Sequence, residues 1–105
     1  MTQLLELAKE VKELSQVLYG LFREGGNKPR MAHMKLIFDA AEQVRYQLEV
    51  DPAAFVSPTC WKALLAIQHI GFERIEPYEE YEKLVAPLYE KYDAMKSAYS
   101  KAFSL

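Results

Sequence analysis

Few side chains in this chain have chemistry to offer: one cysteine, two histidines and two opposed charge clusters. Cys60 and His69 would be the natural nucleophile and base. Nine residues apart on one helix, they sit about 13 Å apart along its axis, too far to touch. Cys60 with His33 has no supporting motif. No Gly-x-Ser-x-Gly elbow, Walker loop or Gly-x-Gly-x-x-Gly fingerprint occurs. The chain is therefore expected not to be an enzyme, and no catalytic residue is assigned. Carboxylate-bridged metal bundles need Glu-x-x-His on two helices, which is absent here; His69 with Glu73 is a single pair four residues apart. One cysteine cannot build a paired-cysteine zinc site. No metal and no cofactor is expected. The histidines read as surface or helix-end residues, and Cys60 as a small core residue.

The charge clusters carry more. Arg23, Lys28, Arg30 and Lys35 stand against Glu24 alone, a local net of +3. They flank a Gly25-Gly26-Asn27-Lys28 turn whose backbone N–H groups would be exposed beside them. Cations and free amides together suit a phosphate or an acidic surface, so anion or nucleotide binding by the Gly25–Lys35 region is the alternative function. From Glu73 to Glu82, Arg74 faces five glutamates, which complement the dipole at the start of a helix.

Tyrosine placement points elsewhere. Five of the seven tyrosines (Tyr78, Tyr81, Tyr89, Tyr92 and Tyr99) fall in the last 28 residues. A buried tyrosine must find a partner for its hydroxyl, whereas interfaces are enriched in tyrosine. Tyr89, Tyr92, Tyr99 and Phe103 are thus the expected partner-binding face. The expected function is a small non-enzymatic protein-interaction module: an adaptor, regulator or inhibitor, of the compact kind that phages and mobile elements encode. A homodimer through the same face is the simplest self-complementary form.

The elements that position these residues are helical. With 105 residues, half of them apolar, and no low-complexity tract, residues 1–105 form one domain with its own core. Leu4, Leu7, Val11, Leu14, Leu18 and Leu21 step by three and four along a first helix, capped by Thr2 and ended by Gly25-Gly26. Met34, Ile37, Ala41, Val44 and Leu48 do the same in a second, from about Met31 to Val50. A third, from about Pro58 to Gly71, carries Trp61, Leu64, Leu65, Ile67 and Ile70 around its circumference, so it is expected to be central, with Trp61 anchoring the core. A fourth starts at Glu76-Pro77 with the seam Tyr78, Tyr81, Val85, Leu88, Tyr92, Met95, Tyr99 and Ala102. It is the longest, kinked at Pro87 on its outer face, and is expected to overhang the others at Tyr99 and Phe103. No period-2 run signals a strand. The fold class is all-α: an antiparallel bundle of about four helices.

The net charge of −2 leaves no global electrostatic footprint for nucleic acid. No apolar run approaches the roughly 20 residues of a membrane span, and charge by the sixth residue argues against a signal peptide. A lone cysteine fits a reducing compartment, so the expected location is cytoplasmic.

Overall fold

The computed structural model describes residues 2–52, 57–66 and 78–104, with side chains at 57–60 and 78–84 left undescribed. These residues form four helices: α1 (Thr2–Glu24), α2 (Lys28–Glu49), α3 (Ser57–Ala66) and α4 (Tyr78–Phe103). No strand occurs among them. Cys60 as a side chain, His69, Glu73, the Glu73–Glu82 acidic run, and the Tyr78 and Tyr81 side chains lie outside what is described.

The loop between α1 and α2 shows how the sequence sets an element boundary. Gly26 takes a left-handed φ of +70°, which only glycine adopts without strain. The N–H groups of Gly25, Gly26 and Asn27 donate to the carbonyls of Leu21, Arg23 and Phe22, closing the end of α1. Asn27 then caps α2, its side chain accepting from the Arg30 N–H. This cap starts α2 at Lys28, three residues before the apolar pattern begins, with Pro29 in the first turn, where a missing N–H costs nothing.

Packing turns each helix's apolar stripe into a wider face. On α1 the fully enclosed residues are Leu4, Ala8, Val11, Ser15, Leu18 and Phe22; Leu7, Leu14 and Leu21 flank them, half-buried. The face is rotated from the leucine seam because α1 packs along both α2 and α4. Ser15 answers for its buried hydroxyl by donating to the Lys12 carbonyl at 3.0 Å. On α2, His33, Met34, Ile37, Ala40, Ala41, Val44 and Gln47 are buried. On α4 the core residues are Val85, Leu88, Tyr92, Met95 and Tyr99, as the seam predicts, but Ala102 is exposed.

Among the described residues the helices lie as a square. α1 and α3 each pack against α2 and α4, and the α2–α4 diagonal is bridged by side chains that meet across the core. No helix is central, which corrects the expectation for α3. Of its described side chains only Leu64 is fully buried; Leu65 is 53% exposed, and Trp61 is half-buried. α3 is apolar around its circumference, yet it stands at a corner. Ion pairs tie the rims. Lys9 meets Glu49 at 2.9 Å, Lys12 meets Glu42, and Lys91 meets Glu10 at 2.6 Å.

Glu42 is the most constrained of these groups. It accepts two hydrogen bonds from Arg45, at 2.6 and 2.8 Å, beside Lys12. The Arg45 bonds, opposed by burial and helped by Lys12, bring its carboxyl from an ordinary 4.5 to about 2. A depressed carboxylate stabilises the fold above its unfolded pKa, and that contribution is lost as pH falls through the folded value. Stability is therefore expected to decline between about pH 4.5 and pH 2. A third of the side chain is open to solvent, and screening reduces the contribution to about 1 kcal/mol. Glu42→Gln should lower stability by that amount at pH 7 and flatten the acid limb of a melting-temperature profile. An unchanged limb would assign the acid response to other carboxylates.

Candidate functional site

The tyrosines expected to face a partner are largely interior. Tyr92 and Tyr99 are fully buried. The Tyr92 hydroxyl donates to the Leu64 carbonyl at 2.6 Å, and the Tyr99 hydroxyl donates to Gln47 Oε1 at 2.8 Å. Burial, with the nearby Asp93 charge, holds the Tyr92 hydroxyl well above the ordinary tyrosine range, so it stays protonated. Tyr89, half-buried, hydrogen-bonds to His33 Nε2 at 3.3 Å with the rings edge-on. These partners correct the expected recognition face at Tyr92 and Tyr99: each hydroxyl reaches across the core to a polar group on α2 or α3. They also correct the reading of His33 as a surface residue, since it is only 7% exposed.

Phe103 is half-buried against Tyr99, ring centroids 4.6 Å apart. It lines a recess of about 310 Å³ with Thr2, Leu5, Gln47, Leu48 and Pro52. At the end of α4 the Phe103 ring thus borders the start of α1 and the end of α2, while Lys101, Ala102 and Ser104 are exposed. At 26 residues against 23 and 22, α4 exceeds its neighbours by only about one turn, which leaves little overhang. Pro87 is half-buried inside a helix that continues through it.

Three of the four amides in the turn of the expected anion site are already used within the fold. The N–H groups of Gly25, Gly26 and Asn27 are already bonded to the end of α1, and that of Arg30 to the Asn27 cap. Lys35 pairs with Asp39 at 3.4 Å. Arg23 and Lys28 are exposed, and Arg30 is half-buried. Arg23, in the last turn of α1, complements the helix dipole there. The four cations lie on two helices without converging on a common set of amides.

The surface that does combine interface-type groups lies between α3 and α4. A groove of about 490 Å³ is lined by Trp61 and Leu65 on one side and by Asp93, Lys96, Ser97, Ser100 and Lys101 on the other. Its position follows from the corner placement of α3. Leu64 turns into the core and leaves Leu65, the next residue, turned outward. Trp61, one turn earlier, lies parallel to the buried Tyr99 ring, interplanar angle 3° and centroids 6.4 Å apart. Tyr99 thus forms the floor that holds the indole flat. On the opposite wall Lys96 extends over the Tyr92 ring at 5.3 Å and reaches Asp93 at 3.5 Å. Its stem is packed while its ammonium stays at the rim. Lys101 is exposed one turn further on.

Trp61 and the seam residues around it were visible in the sequence, but as core. Leu65 was likewise read as core, and Lys96 and Lys101 carried no signal, because which flank of α4 stays open depends on where α3 docks. Gln47 and His33 were also missed as internal partners. They sit seven residues from each side of Ala40, a register that would have marked one face of α2.

No group of three or more His, Cys, Asp or Glu side chains that could hold a metal ion occurs among the described residues. No helix among them is long and apolar enough to cross a membrane. In comparisons with known proteins, no family model, no curated protein and no solved structure matches this chain.

Proposed function

We propose that this protein is a non-enzymatic interaction module that captures a segment of another protein in the α3–α4 groove. The observation that carries this reading is a half-buried tryptophan held flat on a buried tyrosine beside an outward leucine, opposite two lysines and two serines. Tryptophan in a partly enclosed pocket is the residue type that most often dominates binding energy. The matching ligand presents apolar side chains to Trp61 and Leu65 and one or two carboxylates to Lys96 and Lys101, with Asp93 disfavouring a basic segment. An adaptor, regulator or inhibitor works in this way. The reading goes with an antiparallel up-down bundle, bent at Pro87, and with a cytoplasmic setting that suits a single cysteine.

Trp61 is the only tryptophan, so its fluorescence reports on the groove alone. A partner isolated from cells on the intact protein is expected to shift that emission to the blue on titration. Lys96→Glu with Lys101→Glu should weaken binding about tenfold, mostly through the association rate, while leaving the melting temperature nearly unchanged. A partner that binds the double variant as tightly as the wild type, with no emission change, places recognition elsewhere.

A further inference from the structure

A second surface lies on α2. Ala32, Leu36, Asp39, Gln43, Tyr46 and Val50 step by four, three, four, three and four along one side of α2 into its C-cap, and all but the half-buried Gln43 are exposed. Leu36 is 56% exposed, Tyr46 37% and Val50 53%. The row is apolar at both ends and polar at its two middle positions. Residues in this heptad rhythm on an outward face form the seam of a two-helix coiled coil, and polar seam residues fix its register. The inward face of α2 is already filled by Met34, Ile37, Ala41 and Val44, so this seam is additional to what the bundle requires.

The order of side chains along the seam selects the occupant. Antiparallel pairing of two identical α2 helices sets Ala32 opposite the partner's Val50, Leu36 opposite the partner's Tyr46, and Asp39 opposite the partner's Gln43. Apolar meets apolar at both ends. At the centre the partner's Gln43 amide can donate to the Asp39 carboxylate, twice by symmetry. A shift of one heptad would set Asp39 opposite the partner's Leu36 or Val50 and leave a carboxylate on an apolar side chain. Parallel pairing would stack Asp39 on the partner's Asp39, two like charges in one seam. The flank toward α1 carries Lys35, Glu42 and Glu49, seven residues apart; the other flank carries the buried His33, Ala40 and Gln47. In the antiparallel register Lys35, which meets Asp39 in its own chain, falls beside the partner's Glu49, which meets Lys9 and Arg45 in its own, and the two-fold repeats the contact. Glu42 approaches the partner's Glu42 at the two-fold axis, and its charge is already compensated by Lys12 and Arg45. We infer that a second copy of this chain docks on α2 in antiparallel register, forming a two-fold dimer with paired Asp39–Gln43 and Lys35–Glu49 contacts. The dimer leaves the α3–α4 groove open.

The seam offers three large apolar side chains, well short of the roughly 800 Å² per partner of a standard interface. Its polar centre specifies register at a cost in stability. The association is therefore weak and concentration-dependent. Sedimentation equilibrium of the full chain from roughly 10 µM to 1 mM should show a monomer–dimer equilibrium. Replacing both polar positions, Asp39→Leu with Gln43→Leu, should tighten it at least tenfold, and Leu36→Glu should abolish it. Lys35→Glu should weaken it, and adding Glu49→Lys should restore it, as a Lys35–Glu49 contact between copies requires. The substituted side chains lie on the outward side of α2, so circular dichroism should stay native throughout. The inference is overturned if the wild type and the double leucine variant both remain monomeric, or if a dimer forms that Leu36→Glu leaves intact. It is equally overturned if the charge reversal fails to rescue, or if the seam binds a different protein and never itself.

Discussion

Tyr99→Ala is expected to destabilise the protein by about 3–5 kcal/mol, the cost of emptying a fully enclosed aromatic site. The side chain fills the space between α2, α3 and α4. It stacks under Trp61, packs against Phe103 and donates to Gln47. Few places in a four-helix core have as many neighbours to leave unsupported, and adjacent helices cannot collapse onto the void without shifting register. A small domain holds only about 5–15 kcal/mol in total, so the melting temperature should fall by more than about 10 °C. Tyr99→Phe separates the two contributions. It keeps the ring and removes the bond to Gln47, at about 1 kcal/mol. A Tyr99→Ala melt within a few degrees of the wild type would mean that the ring is not enclosed. The Trp61 indole would lose its support with it.

Leu64→Ala is expected to cost about 2–5 kcal/mol, more than truncating Trp61 or Leu65 on the same helix. Leu64 is the one described α3 side chain that is fully buried, and its carbonyl receives the Tyr92 hydroxyl. Trp61→Ala should cost less, about 1–2 kcal/mol, for a half-exposed ring that loses its stack. Leu65→Ala should stay within about 0.5 kcal/mol. Thermal melts of the three variants test the placement of α3 directly. Equal penalties at Leu64 and Leu65 would mean a helix enclosed on every side, and the groove would then be internal packing. The expected order, Leu64 above Trp61 above Leu65, leaves Trp61 and Leu65 available to a ligand at little cost to the fold.

Long-range partners also explain why the tyrosines of α4 pointed in the wrong direction. A tyrosine excess suggested a half-wet recognition face, because a hydroxyl in an apolar core needs a partner. Here the partners exist. Gln47 and the Leu64 carbonyl receive Tyr99 and Tyr92, and His33 meets Tyr89. Each lies on another helix, 28 to 56 residues away in the chain. No local pattern encodes such a meeting. The basic turn erred in a related way. Its amides looked available because the cations beside them were visible, whereas the carbonyls of α1 that consume them become visible only when the Gly26 turn folds back.

Among the described residues, the sequence by itself determined the all-helical class, the four helices, the ends of α1 and α2 and, to within three residues, the start of α2. It also identified the core residues of α4 from Val85 to Tyr99. These follow from interactions within a few residues: apolar spacing at the helical period, glycine at a left-handed turn, asparagine capping the next helix. The tertiary structure alone decided which flank of each helix is covered. It turned α1 so that Ala8 and Ser15 displaced Leu7 and Leu14 from the centre of the core. It placed α3 at a corner, opened the groove beside Trp61, and left the Leu36–Val50 seam facing outward. The physical reason is that periodicity states how wide an apolar face is, but not which neighbour meets it. An apolar residue in the interior and one kept for a second molecule look alike until the helices are packed.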